Sequence, residues 1–65
     1  MAQPKPEVGD IWRDPIYSRG QSWLILDKYI SKQQNTHMVL LRNLYDGREL
    51  ELKAVYLRQM WERVV

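Results

Sequence analysis

The sequence holds few side chains that could do acid–base or nucleophilic chemistry. Its 65 residues include one histidine, His37, and no cysteine. A nucleophilic enzyme needs an activated Ser, Thr or Cys with a base in reach, whereas the expected hairpin places His37 opposite Tyr56 as a half-buried structural residue. Glu49 and Glu51 alternate with leucines, which is typical of a solvated strand face and not of a paired-carboxylate site. We therefore predict that the protein is not an enzyme.

The sequence also offers no pattern for a metal or a cofactor. Without cysteine and with a single histidine, it has neither a disulfide framework nor the ligand set of a structural zinc site. The three glycines, Gly9, Gly20 and Gly47, are too far apart to form a loop that cradles phosphate. We expect no metal and no cofactor.

Binding chemistry has better candidates among the basic and aromatic residues. Ten Lys and Arg exceed eight Asp and Glu, and each half of the chain has five basic and four acidic residues, so only folding could gather a basic surface. Two tyrosines each lie between two basic residues, an arrangement in which a ring can stack on a base while the cations contact phosphate. The competing interpretation is that these residues lie in ordinary solvated loops. The candidate nucleic-acid-binding residues are Arg13, Tyr17, Arg19, Lys28, Tyr29 and Lys32.

A second set of residues could form a protein-interaction surface. Met38, Leu40 and Leu44 alternate with the residues expected to face inward, so they lie on the outer face of the sheet if that face is open to solvent. If the strands bend sharply, both faces are covered and these residues belong to the core. The alternative function is therefore a homo-oligomer, or a module that docks on a host protein, with Trp23, Met38, Leu40 and Leu44 at the interface.

The chain is expected to form one small domain over 8–65 after a flexible lead-in at 1–7, where prolines stand at positions 4 and 6. Within this domain, three stretches rich in apolar and β-branched residues are separated by turn-forming residues, which is typical of strands. The predicted strands are 8–13, 22–30 and 37–44.

Asp46 and Gly47 predict a two-residue hairpin loop after the third strand. That loop places Leu41 opposite Leu52 on an apolar face. A three-residue loop would place Leu41 opposite Glu51 and mix charge into that face, so we favour the two-residue loop.

The C-terminal region allows two interpretations. Apolar residues recur at helical spacing from Ala54, which fits one helix over 53–63. The other interpretation is a helical turn over 54–59 followed by a last strand over 61–65. We prefer the second, because an edge of a four-stranded sheet needs a partner.

This order of elements resembles the SH3-like small β-barrels, in particular short barrel proteins of bacteria and phages. The resemblance covers 8–65 and rests on the stretches 8–12, 23–26, 44–48 and 61–64. It implies an all-β, SH3-like five-stranded small barrel with a short helical turn before the last strand, and no defined activity. The Ala-Leu-Tyr-Asp-Tyr stretch and the Trp-Trp pair of peptide-binding SH3 domains do not occur in this sequence.

Hydropathy favours a cytoplasmic protein with no membrane contact. The longest apolar runs, 23–26 and 38–41, have four residues each, whereas a bilayer span takes about 20, and the N-terminus has no apolar core typical of a secretory signal. The leading hypothesis is a small non-enzymatic module associated with nucleic acid.

Overall fold

The computed structural model describes residues 4–16 and 20–64. These residues form one antiparallel five-stranded sheet with the strand order β4-β3-β2-β1-β5, so the prediction of an all-β protein with five strands is confirmed. In the described part of the chain β4 and β5 are the two edges, and no ladder joins them. The elements are β1 (Ile11–Arg13), β2 (Ser22–Ser31), β3 (Thr36–Asn43), β4 (Glu49–Lys53), α1 (Ala54–Met60) and β5 (Glu62–Arg63).

The C-terminal region follows the preferred interpretation, with a short helix and then a strand. Helix α1 ends at Met60, where the N–H of Trp61 donates to the carbonyl of Leu57 at 2.9 Å. Strand β5 then pairs with β1. No helix in the described ranges is long and apolar enough to cross a membrane.

Strand β1 is shorter than predicted and starts at Ile11, not at residue 8. Val8 and Gly9 form a turn, because Gly9 adopts φ of 94°, a left-handed conformation that a glycine takes without steric cost. The Gly9 N–H still donates to the carbonyl of Ile25 at 2.9 Å. Pro6 is buried, whereas its neighbours at 4, 5 and 7 are exposed, so the N-terminal segment packs against the rest of the domain at Pro6.

The predicted register of the β3–β4 hairpin is wrong by two residues. Leu41 lies opposite Leu50 and not opposite Leu52, and the strands close at the 2.7 Å bond from the Asn43 N–H to the carbonyl of Arg48. The loop therefore has four residues, 44–47. A shift by two keeps every side chain on its predicted face, since the side-chain period of a strand is two.

Strand β2 contains a bulge between Ile25 and Asp27. A bulge inserts one residue into one strand only, so it bends the strand and reverses which side chains share a face beyond it. Lys28 consequently lies opposite Val39 and projects from the same side of the sheet as that buried valine. A simple alternation from Trp23 would have placed Lys28 on the other side.

The core lies on one side of the sheet under α1. Trp12 and Trp23 are buried, as expected, and Trp61 joins them, with 5.8 Å and 60° between the rings of Trp23 and Trp61, a tilted geometry that aromatic pairs favour. Leu57 is the buried residue of the helix. The core cluster is Trp12, Trp23, Ile25, Val39, Leu41, Leu57 and Trp61.

Candidate functional site

A groove of about 310 Å³ lies between the N-terminal segment, the β2–β3 end of the sheet and helix α1. We call it the basic groove, because its lining includes four basic side chains and no acidic one in the described part of the chain. Apolar and small residues complete it. The lining is Lys5, Pro6, Lys28, Thr36, His37, Met38, Val39, Ala54, Val55 and Arg58.

Each basic residue reaches the basic groove from a different element. The bulge in β2 turns Lys28 to the side of Val39, and His37 is the second residue of β3. Arg58 lies one turn after Ala54 on α1, so the two residues share a helix face. Lys5 precedes the buried Pro6, which holds the N-terminal segment against the sheet.

Among the described residues, Glu7 is not part of the groove lining, but its carboxylate contacts the lining residue Lys28. Nζ of Lys28 lies 3.3 Å from Oε2 of Glu7, and the Glu7 backbone N–H donates to Oδ2 of Asp10 at 3.0 Å. Both partners of the Lys28–Glu7 pair are solvent-exposed, so the pair contributes little to stability. A stronger anion can therefore displace the Glu7 carboxylate from Lys28.

The other end of the sheet and its β1–β5 side have balanced charges. Four arginines in these two regions each form an ion pair with a carboxylate, and these exposed pairs neutralise most of the local charge. The pairs are Arg13 with Glu62, Arg42 with Glu49 (2.6 Å), Arg48 with Asp46 (2.6 Å) and Arg63 with Asp10 (3.4 Å).

The pairing of Asp46 with Arg48 also affects the pKa of the Asp46 carboxyl. The backbone N–H of Arg48 donates to Oδ1 of Asp46 at 2.9 Å, and this bond, with a smaller contribution from the Arg48 guanidinium, lowers the pKa of the Asp46 carboxyl below its ordinary value. The carboxylate is thus held in its charged form beside its cation.

Of the four predicted nucleic-acid-binding residues that the structure describes, one lines the basic groove, Lys28. Arg13 lies opposite Ser22 at the start of β2, six residues or about 20 Å from Lys28 along the strand. Lys32 is exposed on the β2–β3 turn. Tyr17 and Arg19 lie outside the described residues.

Tyr29, the sixth candidate, is half-buried on the face opposite Lys28. It lies across from Met38, and Met38 in turn lies across from Lys53. Paired side chains share a face, so the Tyr29 ring lies beside Met38, which is part of the groove lining.

Three residues of the basic groove were not predicted from the sequence as binding residues. His37 was expected half-buried beside Tyr56; it is exposed instead and lies across from Ile30, and β4 ends before it could pair with His37. Lys5 was assigned to the flexible lead-in. Arg58 could have been found from its spacing of four after Ala54 in a helix, but nothing in the sequence placed that helix beside the N-terminal segment.

The predicted protein-interaction residues do not form one exposed patch. Trp23 is 3% exposed and Met38 is 8% exposed, so both belong to the interior. Leu40 is half-buried, and Leu44 is 51% exposed on the hairpin loop. The outer face is thus covered at Met38 and partly at Leu40, which lies between the two possibilities that the sequence left open.

In the ranges that the structure describes, no three His, Asp or Glu side chains come together in a way that could hold a metal ion. Comparison of the chain with protein-family models, with curated proteins and with solved structures finds no significant match.

Proposed function

We propose that this chain is a small non-enzymatic binding module that associates with nucleic acid by contacting phosphates in the basic groove. The observation that carries the proposal is the convergence of Lys5, Lys28, His37 and Arg58 on one groove whose described lining has no carboxylate. Phosphate contacts from Lys and Arg supply most of the affinity of non-specific nucleic-acid binding.

The residues of the basic groove contact different parts of a nucleic acid, according to their side-chain chemistry. Arg58 has a planar guanidinium that can bind two phosphate oxygens at once, whereas Lys5 and Lys28 act as point charges. Val55, which is 54% exposed, offers an apolar surface beside the cations, against which a sugar or a base can pack. Stacking by Tyr17 and Tyr29 stays a prediction.

We infer in addition that the sheet belongs to an SH3-like small barrel. The order of elements supports this inference, because a long bent β2, a hairpin, a short helix and a last strand that returns to β1 all occur in the sequence order of the resemblance. A cysteine-free chain fits the reducing cytoplasm, which is the location we propose.

A protein-interaction module based on Trp23, Met38, Leu40 and Leu44 is the weaker candidate. Burial of Trp23 and Met38 leaves only two of the four side chains to contact a partner, and such a surface would be smaller than typical specific interfaces.

The test compares two double variants with equal loss of charge. K5Q/R58Q removes two cations of the basic groove, and R42Q/R48Q removes two arginines that are paired with carboxylates at the other end. Fluorescence anisotropy measures the binding of each to labelled single-stranded DNA and RNA at low salt. We expect K5Q/R58Q to weaken binding by about tenfold and R42Q/R48Q by about twofold or less.

Salt dependence gives the second readout. If the groove engages about three phosphates, log K should fall against log salt with a slope of about −2 for a single strand, and K5Q/R58Q should flatten it. Equal weakening by both double variants would mean that only net charge matters. No binding to DNA or RNA at low salt would overturn the proposal.

A further inference from the structure

Strand β4 has an unpaired edge in the described part of the chain, because it pairs only with β3. The Asn43 N–H donates to the carbonyl of Arg48, and in an antiparallel pair such bonded positions alternate. The even-numbered residues of β4 therefore bond to β3. Glu49 and Glu51 direct their backbone N–H and C=O groups to the free edge, and Lys53 directs its N–H there, since its carbonyl caps the start of α1.

A second groove, of about 500 Å³, runs along β4. Four of the five β4 residues line it, together with large apolar side chains, so an extended segment laid against the free edge would also cover apolar surface. We call it the edge groove. Its lining is Asp14, Gln34, Met38, Leu50, Glu51, Leu52, Lys53, Tyr56 and Trp61.

We propose that the edge groove is occupied by a second copy of this chain, with the two β4 strands paired antiparallel about Glu51. The segment Glu49–Lys53 reads ELELK, which is complementary to itself in the antiparallel direction. Glu49 of each copy then lies opposite Lys53 of the other copy, so this contact forms twice. The two sheets become one sheet of twice the number of strands.

The apolar side chains support the same register. Leu50 lies opposite the second copy's Leu52, again twice, on the face where both leucines pack against the core. A shift by one residue would place leucines opposite charged side chains. A shift by two towards Lys53 would leave only three paired residues, since α1 begins at Ala54.

The central position limits the affinity of this dimer. Glu51 faces the second copy's Glu51, and like charges directly opposite each other in a sheet are destabilising. The paired strands are also short, so the interface is at the small end of the range for specific complexes. The dimer should be weak and concentration-dependent, and its groove shares one lining residue, Met38, with the basic groove.

Sedimentation velocity over a wide range of protein concentration tests the proposal with two variants at position 51. E51P removes an N–H that bonds at the free edge and none that bonds to β3, so the fold should persist while dimerisation weakens by about tenfold or more. E51Q keeps the N–H and removes the repulsion, so dimerisation should tighten by about threefold.

A charge exchange tests the register. K53E places Glu49 opposite a glutamate of the second copy and should weaken the dimer, and E49K/K53E should restore it. Fluorescence of the buried tryptophans checks that each variant is folded. The proposal is overturned if the wild type stays monomeric up to about 1 mM, a concentration that would detect even very weak association, or if self-association persists unchanged in E51P.

Discussion

Leu41 pairs with Leu50 across the β3–β4 hairpin, two residues from the partner that a tight Asp-Gly turn would give it. The cause is Asn43, whose Oδ1 accepts from the N–H of Tyr45 at 2.6 Å and from the N–H of Asp46 at 3.1 Å. An Asn side chain that bonds its own backbone in this way starts a turn. The strands therefore separate at Asn43, earlier than the Asp-Gly pair alone indicates.

Replacing Asn43 should weaken the fold. The side chain is 1% exposed, so Asn43→Ala leaves two loop N–H groups without their acceptor in a site that water reaches poorly. We expect the free energy of unfolding in urea to fall by about 2–3 kcal/mol. Gln21→Ala removes only the acceptor that Nδ2 of Asn43 uses at 2.9 Å, so it should cost less. Equal stability of Asn43→Ala and the wild type would contradict this role.

Asp46 should make the hairpin loop sensitive to acid. Its pKa is lowered in the folded protein, so its contribution to stability is complete above the unfolded-state pKa of about 4 and is lost as pH falls through the lower folded-state pKa. Asp46→Asn should be less stable than the wild type at neutral pH. The difference should shrink as pH falls below the unfolded-state pKa, because the Asp46 carboxylate then becomes protonated. Thermal melts across this range measure it, and a constant difference would argue against the charge.

Helix α1 should depend on Leu57 for its attachment to the sheet. Leu57 is fully buried, whereas Val55 on the same helix is 54% exposed. Leu57→Ala should lower the free energy of unfolding by about 2–5 kcal/mol through lost burial and a cavity, and Val55→Ala should change it by about 0.5 kcal/mol or less. Denaturant unfolding of both variants tests this, and similar losses would mean that the helix packs differently.

Glu7 should compete with phosphate for Lys28. Because their ion pair is exposed and is 3.3 Å long, Glu7→Gln should release the ammonium group for an anion at little cost in stability. We expect the affinity for single-stranded nucleic acid to rise by about threefold. Glu49→Gln removes the same charge beside Arg42 and serves as the control. Equal gains in both variants would indicate a general charge effect.

Much of the fold could be predicted from residue types and spacing. Alternation of apolar residues located β2 and β3, and the helical spacing from Ala54 located α1. The strand after α1 was expected because a sheet edge needs a partner. The faces of the hairpin were also right, because a register shift of two preserves them. Its partners were not, since the choice between turns depended on a side chain–backbone bond at Asn43.

The site was less predictable, because it depends on a bulge and on packing between distant segments. The sequence gives no signal for the extra residue between Ile25 and Asp27, yet this residue decides which way Lys28 projects. Lys5 and Arg58 are 53 positions apart and meet only in the folded chain. In the sequence, the position of aromatic residues between cations pointed instead to a nucleic-acid-binding site that includes Tyr17 and Tyr29.

Backbone amide chemical shifts during titration with a short single-stranded oligonucleotide test the central claim most directly. Binding in the basic groove predicts the largest shift changes at Lys28, at His37 and along Ala54–Met60, with small changes in the hairpin loop at 44–47. Changes concentrated at the hairpin loop and its paired arginines, with none at Lys28 and His37, would contradict the account.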